Sequence, residues 1–412
     1  MFGCAEHWFG KRFAPALTAF LAERDDPGEI ARHERMDRDT IERLYGARRE
    51  ADSHASVRDD GSTPLVDAPH ASHAQNRADV RTSTTPSVPL GRVHVVESNR
   101  DTVALGVFDP ARAPVATIDS GDVVRYTNTW THFLNVLQPG VPIEELAKLR
   151  RANRGRGVHS IIGPVVVRDA KPGDLLEIRF LDLRTIDFGA NFHNSGDLRT
   201  GSLPDEFPNG HIRYFDLDAA DGYVSFAPHI KLEMRPFQGT FGVAAPGGIA
   251  VSSVAPGQHA GNIDVKELTA GSTLFVPVWN DGGLIYTGDS HALQGDGEVN
   301  ITALETAMEE VRVQIILHER ANYDWPMIET ATHWLMLGTS ESLNEALRIS
   351  LRNTISFLAK QAHLTRDEAY SLASLAVDFR VSQMVDVANG IHAMIPKSIF
   401  AADFRKTMRI VP

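Results

Sequence analysis

A glycine turn followed by a run of β-forming residues recurs along the middle of this chain. The three clearest repeats are Ser120-Gly121-Asp122 before 123–126, Pro172-Gly173-Asp174 before 175–183, and Ala270-Gly271-Ser272 before 273–278. Glycine tolerates the backbone of a tight reversal, and the β-branched and aromatic runs after it suit strands. Strand-like alternation of apolar residues begins near Val93. The pattern predicts a region of sheet with tight reversals, in which 161–167 and 175–180 form the clearest pair of strands.

The hydrophobic period changes after about residue 330. One helical face collects six apolar residues, with Ser340 placed to cap the helix: Leu343, Ala346, Leu347, Leu351, Ile355 and Leu358. A capping box at Thr365-Arg366-Asp367-Glu368 opens a second helix. We expect these helices to cover a sheet face or a subunit contact. Within the β-rich region, only 143–151 is predicted to be helical.

Residues 1–88 are rich in charged residues, Ser and Thr, and have almost no sustained apolar period. Such a segment buries too little apolar surface to offset the entropy lost on ordering, so we predict that it is disordered. The predicted fold class is α+β. A disordered N-terminal extension (1–88) would precede a β-rich catalytic core of sandwich-like or barrel-like sheets (89–330). A helical C-terminal region (331–412) would pack on that core.

Charge and cysteine content exclude several classes of function. The net charge of −12 argues against nucleic acid as a partner, because phosphate binding depends on clustered Lys and Arg. Cys4 is the sole cysteine of the 412 residues, so an intramolecular disulfide framework is impossible and a reducing, cytoplasmic location is expected. Lys11-Arg12 and the apolar stretch 13–22 loosely imitate a secretory signal, but an acidic run follows and export is not expected. No apolar run approaches the ~18 residues of a membrane span.

The stretch 289–298 concentrates side chains that bind metals or move protons. Asp289 and His291 are two residues apart, as are Asp296 and Glu298, so each pair would share a face in an extended chain. An acidic pair costs free energy unless a cation, a shared proton or solvent relieves the repulsion. This stretch is therefore the first candidate for the site of chemistry.

A second glycine-spaced cluster lies upstream, in Pro256-Gly257-Gln258-His259-Ala260-Gly261-Asn262-Ile263-Asp264. His259 and Asp264 add a nitrogen and an oxygen ligand. Combined with Asp289, His291 and Glu298, they form a mixed set that suits Zn²⁺ or a similar divalent ion. His159 is a further candidate that would orient the substrate or a metal ligand. Each residue taken singly is as well explained as a hydrogen-bonded loop histidine or a solvated acid.

Nucleophilic and nucleotide-binding sites find less support. Ser252-Ser253 near Gly247-Gly248 suggests a serine amidase, but no dense Gly-Ser loop or lysine partner accompanies it. The chain has no Gly-x-Ser-x-Gly elbow and no phosphate-binding loop of the Walker type. Gly155-x-Gly157 is not followed by the third glycine of a dinucleotide fingerprint.

The sequence resembles the acetamidase/formamidase family over about residues 93–400. The resemblance runs through His159-Ser160-Ile161-Ile162-Gly163-Pro164, 172–178, 235–244, 256–268, 288–305, Thr332-His333-Trp334 and 376–381. The family pattern Gly-Asp-x-His-Ala-x-Gln-Gly-Asp-Gly-Glu is intact at 288–298. His259-Ala260-Gly261-Asn262 departs from the family's His-Gly-Gly-Asn. The resemblance implies a β-rich α+β enzyme, usually a homo-oligomer, that hydrolyses small aliphatic amides with a bound divalent metal.

The clusters and the resemblance together support metal-assisted hydrolysis of a small amide. His259, Asp264 and His291 would hold the ion, with Asp289 as a fourth or supporting ligand. Glu298 would be the general base and acid, and Asp296 would raise its pKa. His159 joins this catalytic group. Substrate binding is assigned to Asn262 and to backbone amides of Gly239 and Gly242, which would face the developing oxyanion.

Two other functions use the same residues. The first is a non-catalytic scaffold that binds a metal or small ligand through these loops, with the acids in a structural role. The second is a metal hydrolase of cyclic amides or esters. No feature of the sequence separates these from a linear amidase.

Overall fold

The computed structural model describes residues 88–411 except 195 and 219. The predicted disorder of residues 1–88 therefore lies outside the described residues, Val88 apart. In the described part of the chain, no helix combines the length and the apolar character needed to cross a membrane.

Strands dominate the described residues. The first eleven are β1 (Val93–Glu97), β2 (Val103–Leu105), β3 (Val107–Phe108), β4 (Ala116–Ile118), β5 (Val123–Thr127), β6 (Ser160–Val167), β7 (Leu175–Thr185), β8 (Phe188–His193), β9 (His211–Asp216), β10 (Tyr223–Ala227) and β11 (Ile230–Glu233). The remainder are β12 (Phe237–Val243), β13 (Val251–Ser252), β14 (Ala260–Asn262), β15 (Thr273–Pro277), β16 (Ile285–His291), β17 (Glu305–Thr306), β18 (Met308–His318), β19 (Met327–Glu329), β20 (His333–Ser340), β21 (Asp378–Val381) and β22 (Asn389–Pro396).

Helices are few. They are α1 (His132–Asn135), α2 (Ile143–Ala152), α3 (Leu343–Gln361), α4 (Arg366–Ala376) and α5 (Ala402–Arg405). The side chain of Ser342, and not the predicted Ser340, accepts from the amide of Glu345 and caps α3. The predicted capping box is confirmed at α4, where Thr365 and Glu368 cap each other reciprocally.

Two nine-stranded sheets form the body of the fold. The first has the order β1-β5-β18-β7-β15-β19-β20-β22-β21 and is antiparallel except for the β1–β5 pair. The second runs β14-β12-β16-β17-β8-β9, and β6 joins it through β16 and carries β2 and β4. The strands after all three predicted glycine turns, β5, β7 and β15, lie in the first sheet. The predicted strands at 161–167 and 175–180 both form, but β6 and β7 belong to different sheets.

The two sheets pack face to face over a shared apolar core. Phe180 of the first sheet and Phe241 of the second meet edge to face with ring centroids 5.2 Å apart. Around them, buried aliphatic residues such as Ile178 and Ile285 interdigitate from both sides. This packing confirms the predicted β-rich α+β class and fixes the second sheet as a rigid platform.

The C-terminal helices cover the outer face of the first sheet. Buried residues of α3 and α4, such as Leu358 and Ala373, pack against Trp334 of β20 and Ile395 of β22. Residues 331–412 thus supply three strands to the first sheet as well as helices that cover it. The division into a core at 89–330 and a C-terminal region at 331–412 stays a prediction.

Helix α3 packs closely on β20 at Gly338, where a Cβ would overlap the carbonyl oxygen of Ala346 and the amide nitrogen of Ser350. We expect Gly338→Ala to lower the free energy of unfolding by about 1–3 kcal/mol, because both obstacles are backbone atoms that move only with the helix. Chemical denaturation measures this. Gly295→Ala is the matched control, since nothing lies within 4 Å of a Cβ there and a change within about 0.5 kcal/mol is expected. Equal effects of the two substitutions would contradict the close packing of α3 on β20.

Candidate active site

The candidate site lies at the end of β16 in the second sheet. Asp289 and His291 are two residues apart on this strand, so their side chains share one face. The sheet register pairs His291 with Glu305 of β17, and Nε2 of His291 lies 3.3 Å from Oε2 of Glu305. The same nitrogen lies 3.2 Å from Oδ1 of Asp289. Strand pairing thus places one imidazole between two carboxylates.

Gly239 of β12 keeps the space in front of these side chains open. The register pairs on either side of Gly239 place it across from Asp289. A Cβ at this position would lie 2.5 Å from Cε1 of His291, 2.6 Å from Oδ1 of Asp264 and 2.9 Å from Oδ2 of Asp289. Three potential metal ligands therefore surround a volume that any side chain at position 239 would fill.

His132 reaches the same group from α1. This short element is a left-handed turn, with φ of 56° at Phe133 and 57° at Leu134. Nε2 of His132 lies 3.5 Å from Oδ1 of Asp289 and 3.5 Å from Oε2 of Glu305. The unusual backbone of the turn therefore brings a second imidazole to the carboxylates that flank His291.

His159, immediately before β6, is the third histidine. Its Nδ1 is 2.8 Å from the hydroxyl oxygen of Ser253, and its Nε2 is 3.9 Å from Oδ2 of Asp289. Ser253 is fully buried and does not line the cavity described below. Its hydroxyl is therefore placed to orient the ring of His159, and it is not positioned to attack a substrate.

Asp386 enters the site from the loop between β21 and β22, strands of the first sheet. Oε1 of Gln383 accepts the amides of Val385 and Asp386 at 2.9 and 3.1 Å, which fixes the loop. Oδ2 of Asp386 accepts from Nδ2 of Asn262 at 3.0 Å. The hydroxyl of Thr240 donates to Oδ1 of Asn262, so both ends of that amide are engaged. Asn262 thereby positions Asp386.

Three acids of the site have left-handed backbones: φ is 47° at Asp264, 55° at Asp289 and 46° at Glu298. Such conformations cost about 1–3 kcal/mol each for residues with a side chain, and they persist where the surrounding structure holds them. Strain of this kind concentrates at functional sites. Ala260 also has a positive φ of 62°, so the residue that departs from the family's glycine occupies a position that favours glycine.

The buried polar atoms of this group lack hydrogen-bond partners among the described residues. They are both carboxylate oxygens of Asp264, both ring nitrogens of His291, Oδ1 of Asp289, Oε2 of Glu298 and Oε2 of Glu305. His291 is within ion-pair range of its neighbours but is not aligned with them as a hydrogen bond. Leaving buried polar atoms unpaired is costly, and a concentration of them around one open volume is what a cation site presents.

Burial and mutual repulsion control the acids of the group. Burial raises the pKa of Glu298 well above its ordinary value, and Asp386 raises it further. Burial also raises the pKa of Asp264, as does the neighbouring Glu298. The pKa values of Glu305 and Asp386 rise to about 7, again mainly through burial. Four of the five carboxyl groups thus resist ionisation in the absence of a cation.

The pKa values of the three histidines shift in different directions. Burial would lower the pKa of His291, but Glu305 and Asp289 outweigh it and hold that pKa well above its ordinary value. Burial would raise the pKa of Asp289, yet the three histidines hold it well below its usual range. Burial lowers the pKa of His132 to about 3 and also lowers that of His159. These two rings are neutral and able to donate one N–H each.

A cavity of about 220 Å³ opens onto the group. Its polar lining includes His132, His159, Asp289, Glu298 and Glu305. A more open cleft of about 580 Å³ lies elsewhere, between Arg235 and Arg380. Although it is larger, it is not lined by the buried acids and histidines of the group, so we take the smaller cavity as the candidate active site.

The structure brings together most of the predicted site residues. The buried group contains Asp264, Asp289, His291, Glu298 and His159, with Asn262 and Gly239 at its edge. His259 lies apart. Its ring packs on Phe108 with centroids 5.4 Å apart, and no carboxylate shifts its pKa, which burial lowers to about 4.

Asp296 and Gly242 also fall outside the group. Gly297 turns the chain with φ 95°, so Asp296 is exposed while Glu298 is buried, and the two do not share a face. Asp296 instead pairs with Lys266 at 2.9 Å, and the pKa of Glu298 is raised by burial and Asp386. Gly242 lies inside β12, which is paired on both edges, so amides there are committed to the sheet.

Three members of the group were not predicted: His132, Glu305 and Asp386. Glu305 is the last residue of the 288–305 block. The pairing of β16 with β17 places it opposite His291. His132 and Asp386 come from distant segments and give no local signal in the sequence.

Glu298 allows a test of the electrostatic strain. Its folded pKa is raised above the ordinary 4.5, so the folded chain loses stability as pH rises above about 4.5. We expect chelator-treated Glu298→Gln to be more stable than the parent by about 1–3 kcal/mol at pH 8, with a smaller difference at pH 5. Urea denaturation at both pH values measures it. Asp296→Asn is the control, since loss of its exposed ion pair should cost at most ~1 kcal/mol and give no gain. A destabilised Glu298→Gln at pH 8 would contradict the repulsion.

Comparison with known proteins identifies the family. The sequence profile of the acetamidase/formamidase family matches residues 108–249 and 245–402. A formamidase from Methylophilus methylotrophus is 26% identical over 319 residues, which cover 60% of this chain and 78% of that protein.

Solved structures agree. The crystal structure of an acetamidase from Bacillus halodurans matches with a TM-score of 0.67 and 27% identity, covering 74% of this chain and 98% of that one. An acetamidase from Yersinia enterocolitica matches with a TM-score of 0.68 and 26% identity, covering 75% and 93%. The profile match spans the strands and loops that build the buried group of acids and histidines, and the chain belongs to the acetamidase/formamidase family.

Proposed function

We propose that this protein is a metal-dependent amidohydrolase that converts a small linear amide, of the formamide or acetamide type, to its carboxylate and ammonia. Membership of the family makes the chain an amidohydrolase acting on linear C–N bonds. The metal dependence and the choice of substrate are the new parts of the proposal.

One observation carries the metal dependence. Ligand atoms of Asp264, Asp289 and His291 lie within 4.8 Å of one another, several of them unpartnered, around the space that Gly239 leaves open. A nitrogen and two carboxylates suit a divalent ion such as Zn²⁺. These three residues would hold the ion, which when bound supplies Lewis acidity toward a carbonyl and lowers the pKa of water. His259, predicted as a ligand, does not belong to this group of close ligand atoms, and we leave it out of the proposed ligand set.

Glu298 is the proposed general base and acid. It lines the cavity, and its Oε2 has no partner among the described residues. Its carboxylate would accept a proton from the attacking water as the oxygen forms a bond with the carbonyl carbon. As the C–N bond breaks, the same proton would pass to the leaving nitrogen, giving ammonia and a carboxylic acid, which then ionises to the carboxylate. The raised pKa of Glu298 suits this return of the proton.

His132 and His159 are proposed to stabilise the oxyanion. Both rings are buried and line the cavity, and their lowered pKa values keep them neutral. A neutral N–H aimed at the developing charge stabilises a transition state more than it stabilises the ground state. This replaces the predicted role of the amides at Gly239 and Gly242.

The alternatives keep the same residues. A non-catalytic scaffold would bind metal and turn over nothing, and an enzyme for cyclic amides or esters would release an acid without ammonia from those substrates. The left-handed backbones of Asp264, Asp289 and Glu298 favour catalysis, because a merely structural ion site gains nothing from strained ligands.

We also propose a cytoplasmic location and a homo-oligomeric state. The single cysteine supports a reducing compartment. Leu375 and Tyr370 on α4 are 84% and 56% exposed, and burial of these apolar side chains in an assembly would remove them from water. Cell fractionation and light scattering address the two points.

The amidase proposal predicts ammonia release from at least one of formamide, acetamide, propionamide and butanamide by metal-replete protein. Glu298→Gln should reduce kcat by about 10²–10⁴-fold, the usual contribution of general acid–base catalysis. Asp296→Asn, two residues away and ion-paired with Lys266, should keep activity within about threefold. Release of no ammonia from any of these amides would leave the binding scaffold or the cyclic-substrate enzyme.

The metal proposal predicts that Gly239→Ala weakens divalent-cation binding by at least about 10-fold, because the new methyl group occupies the space between the three ligands. Competition with a fluorescent chelator measures the affinity for Zn²⁺, and circular dichroism establishes that the variant is folded. Gly295→Ala, in open space, should bind as the parent does. A folded Gly239→Ala protein with unchanged affinity would refute this ligand set.

A further inference from the structure

Arg150 lines the active-site cavity and has no ion-pair partner among the described residues. It lies near the end of α2 and is half-buried. Its Nη1 donates to the carbonyl oxygen of Arg156 at 2.6 Å, which orients the guanidinium. In the described part of the chain, no carboxylate oxygen lies within 4.0 Å of it, although Asp386 attracts it from farther away. Burial lowers the pKa of Arg150 and so opposes its charge.

The second arginine of the lining differs. Arg199 is more than half exposed, and its Nη2 pairs with Oδ1 of Asp205 at 2.8 Å. Arg150 is thus the arginine of the described lining whose charge is not paired with a carboxylate. A guanidinium presents a rigid fork that matches a carboxylate with two parallel hydrogen bonds.

The cavity is larger than a two-carbon amide requires. Its 220 Å³ would hold on the order of ten water molecules. The lining is mixed in polarity and includes five apolar residues: Val158, Val254, Ile301, Val385 and Val387. The lining therefore suits a short hydrocarbon chain.

Asn194 gives an independent sign that a polar ligand belongs here. It lines the same cavity, is 7% exposed, and its Oδ1 has no partner among the described residues. A buried amide with an unpaired atom is costly in a cavity that stays empty. Because Oδ1 accepts hydrogen bonds, an N–H donor such as the amide group of a bound substrate would relieve that cost.

We propose that the preferred substrates are short linear amides whose far end carries a carboxylate, and that Arg150 binds this carboxylate. The amide carbon would lie at Glu298 and the histidines, the chain along the apolar lining, and the anion at the guanidinium. The inference rests on the proposed amidase function and narrows its substrate class. The simpler alternative is that Arg150 only offsets the charge of the five buried carboxyl groups.

Succinamate and butanamide form a matched pair that separates these possibilities, because a carboxylate replaces a methyl group at the same distance from the amide. The parent should hydrolyse succinamate with the higher kcat/KM. Arg150→Gln should reduce the ratio of the two kcat/KM values by about 10- to 100-fold, as expected for loss of a hydrogen-bonded charge. Arg150→Lys should restore part of the ratio, since the charge remains without the fork.

Arg154→Gln is the control for general electrostatics. Arg154 follows the same helix, is exposed and pairs with Asp197 at 2.7 Å, so its removal changes the net charge equally outside the cavity. The ratio should not change in this variant. A ratio that is unchanged in Arg150→Gln, or a parent that prefers butanamide, would overturn the assignment of Arg150 while leaving the amidase function intact.

Binding of succinate, the expected product, gives a readout that needs no turnover. By calorimetry, succinate should bind the parent at least about 10-fold more tightly than Arg150→Gln, with thermal melting to establish that the variant is folded. If no amide is hydrolysed but this difference is found, the anion subsite stands and the amidase function fails. If succinate binds both proteins equally, the inference fails irrespective of activity.

Discussion

Repulsion among five buried carboxyl groups is the constraint on which the site depends. Asp264, Asp289, Glu298, Glu305 and Asp386 are each less than 10% exposed and belong to overlapping groups of close ligand atoms. Of the three histidines, only His291 has a raised pKa, so the histidines offset only part of this charge. Without a cation, four of the carboxyl groups have raised pKa values, so folding must hold them together against their own electrostatics. A divalent ion would convert that cost into binding free energy.

The architecture explains how the chain tolerates this arrangement. The second sheet packs against the first through a continuous apolar core. The acids lie on β16, on β17 and in loops. Asp386 comes from the first sheet's β21–β22 loop, so elements of both sheets converge on one cavity. Stability gained from packing far from the cavity thus sustains strained backbones and unpaired atoms within it.

Local sequence patterns predicted the features that depend on strand geometry, namely strand positions and the face on which a side chain lies. The glycine turns marked β5, β7 and β15, and the two-residue spacing of Asp289 and His291 put both on one face of β16. The same spacing predicted wrongly that Asp296 and Glu298 share a face, because the chain turns at Gly297 and does not form a strand there. His132 and Asp386 depend on a left-handed turn and on a long-range loop, which no local period encodes. The prediction that β6 and β7 form a pair was wrong for the same reason, because the sheet to which a strand belongs depends on long-range contacts.

The central claim is that Asp264, Asp289 and His291 hold a divalent cation beside Gly239. Anomalous diffraction from crystals of the full chain grown with Zn²⁺ tests it most directly. The claim predicts one strong anomalous peak about 2.0–2.2 Å from Oδ atoms of both aspartates and from a ring nitrogen of His291. A peak elsewhere, or none at this position in crystals saturated with Zn²⁺, would contradict it.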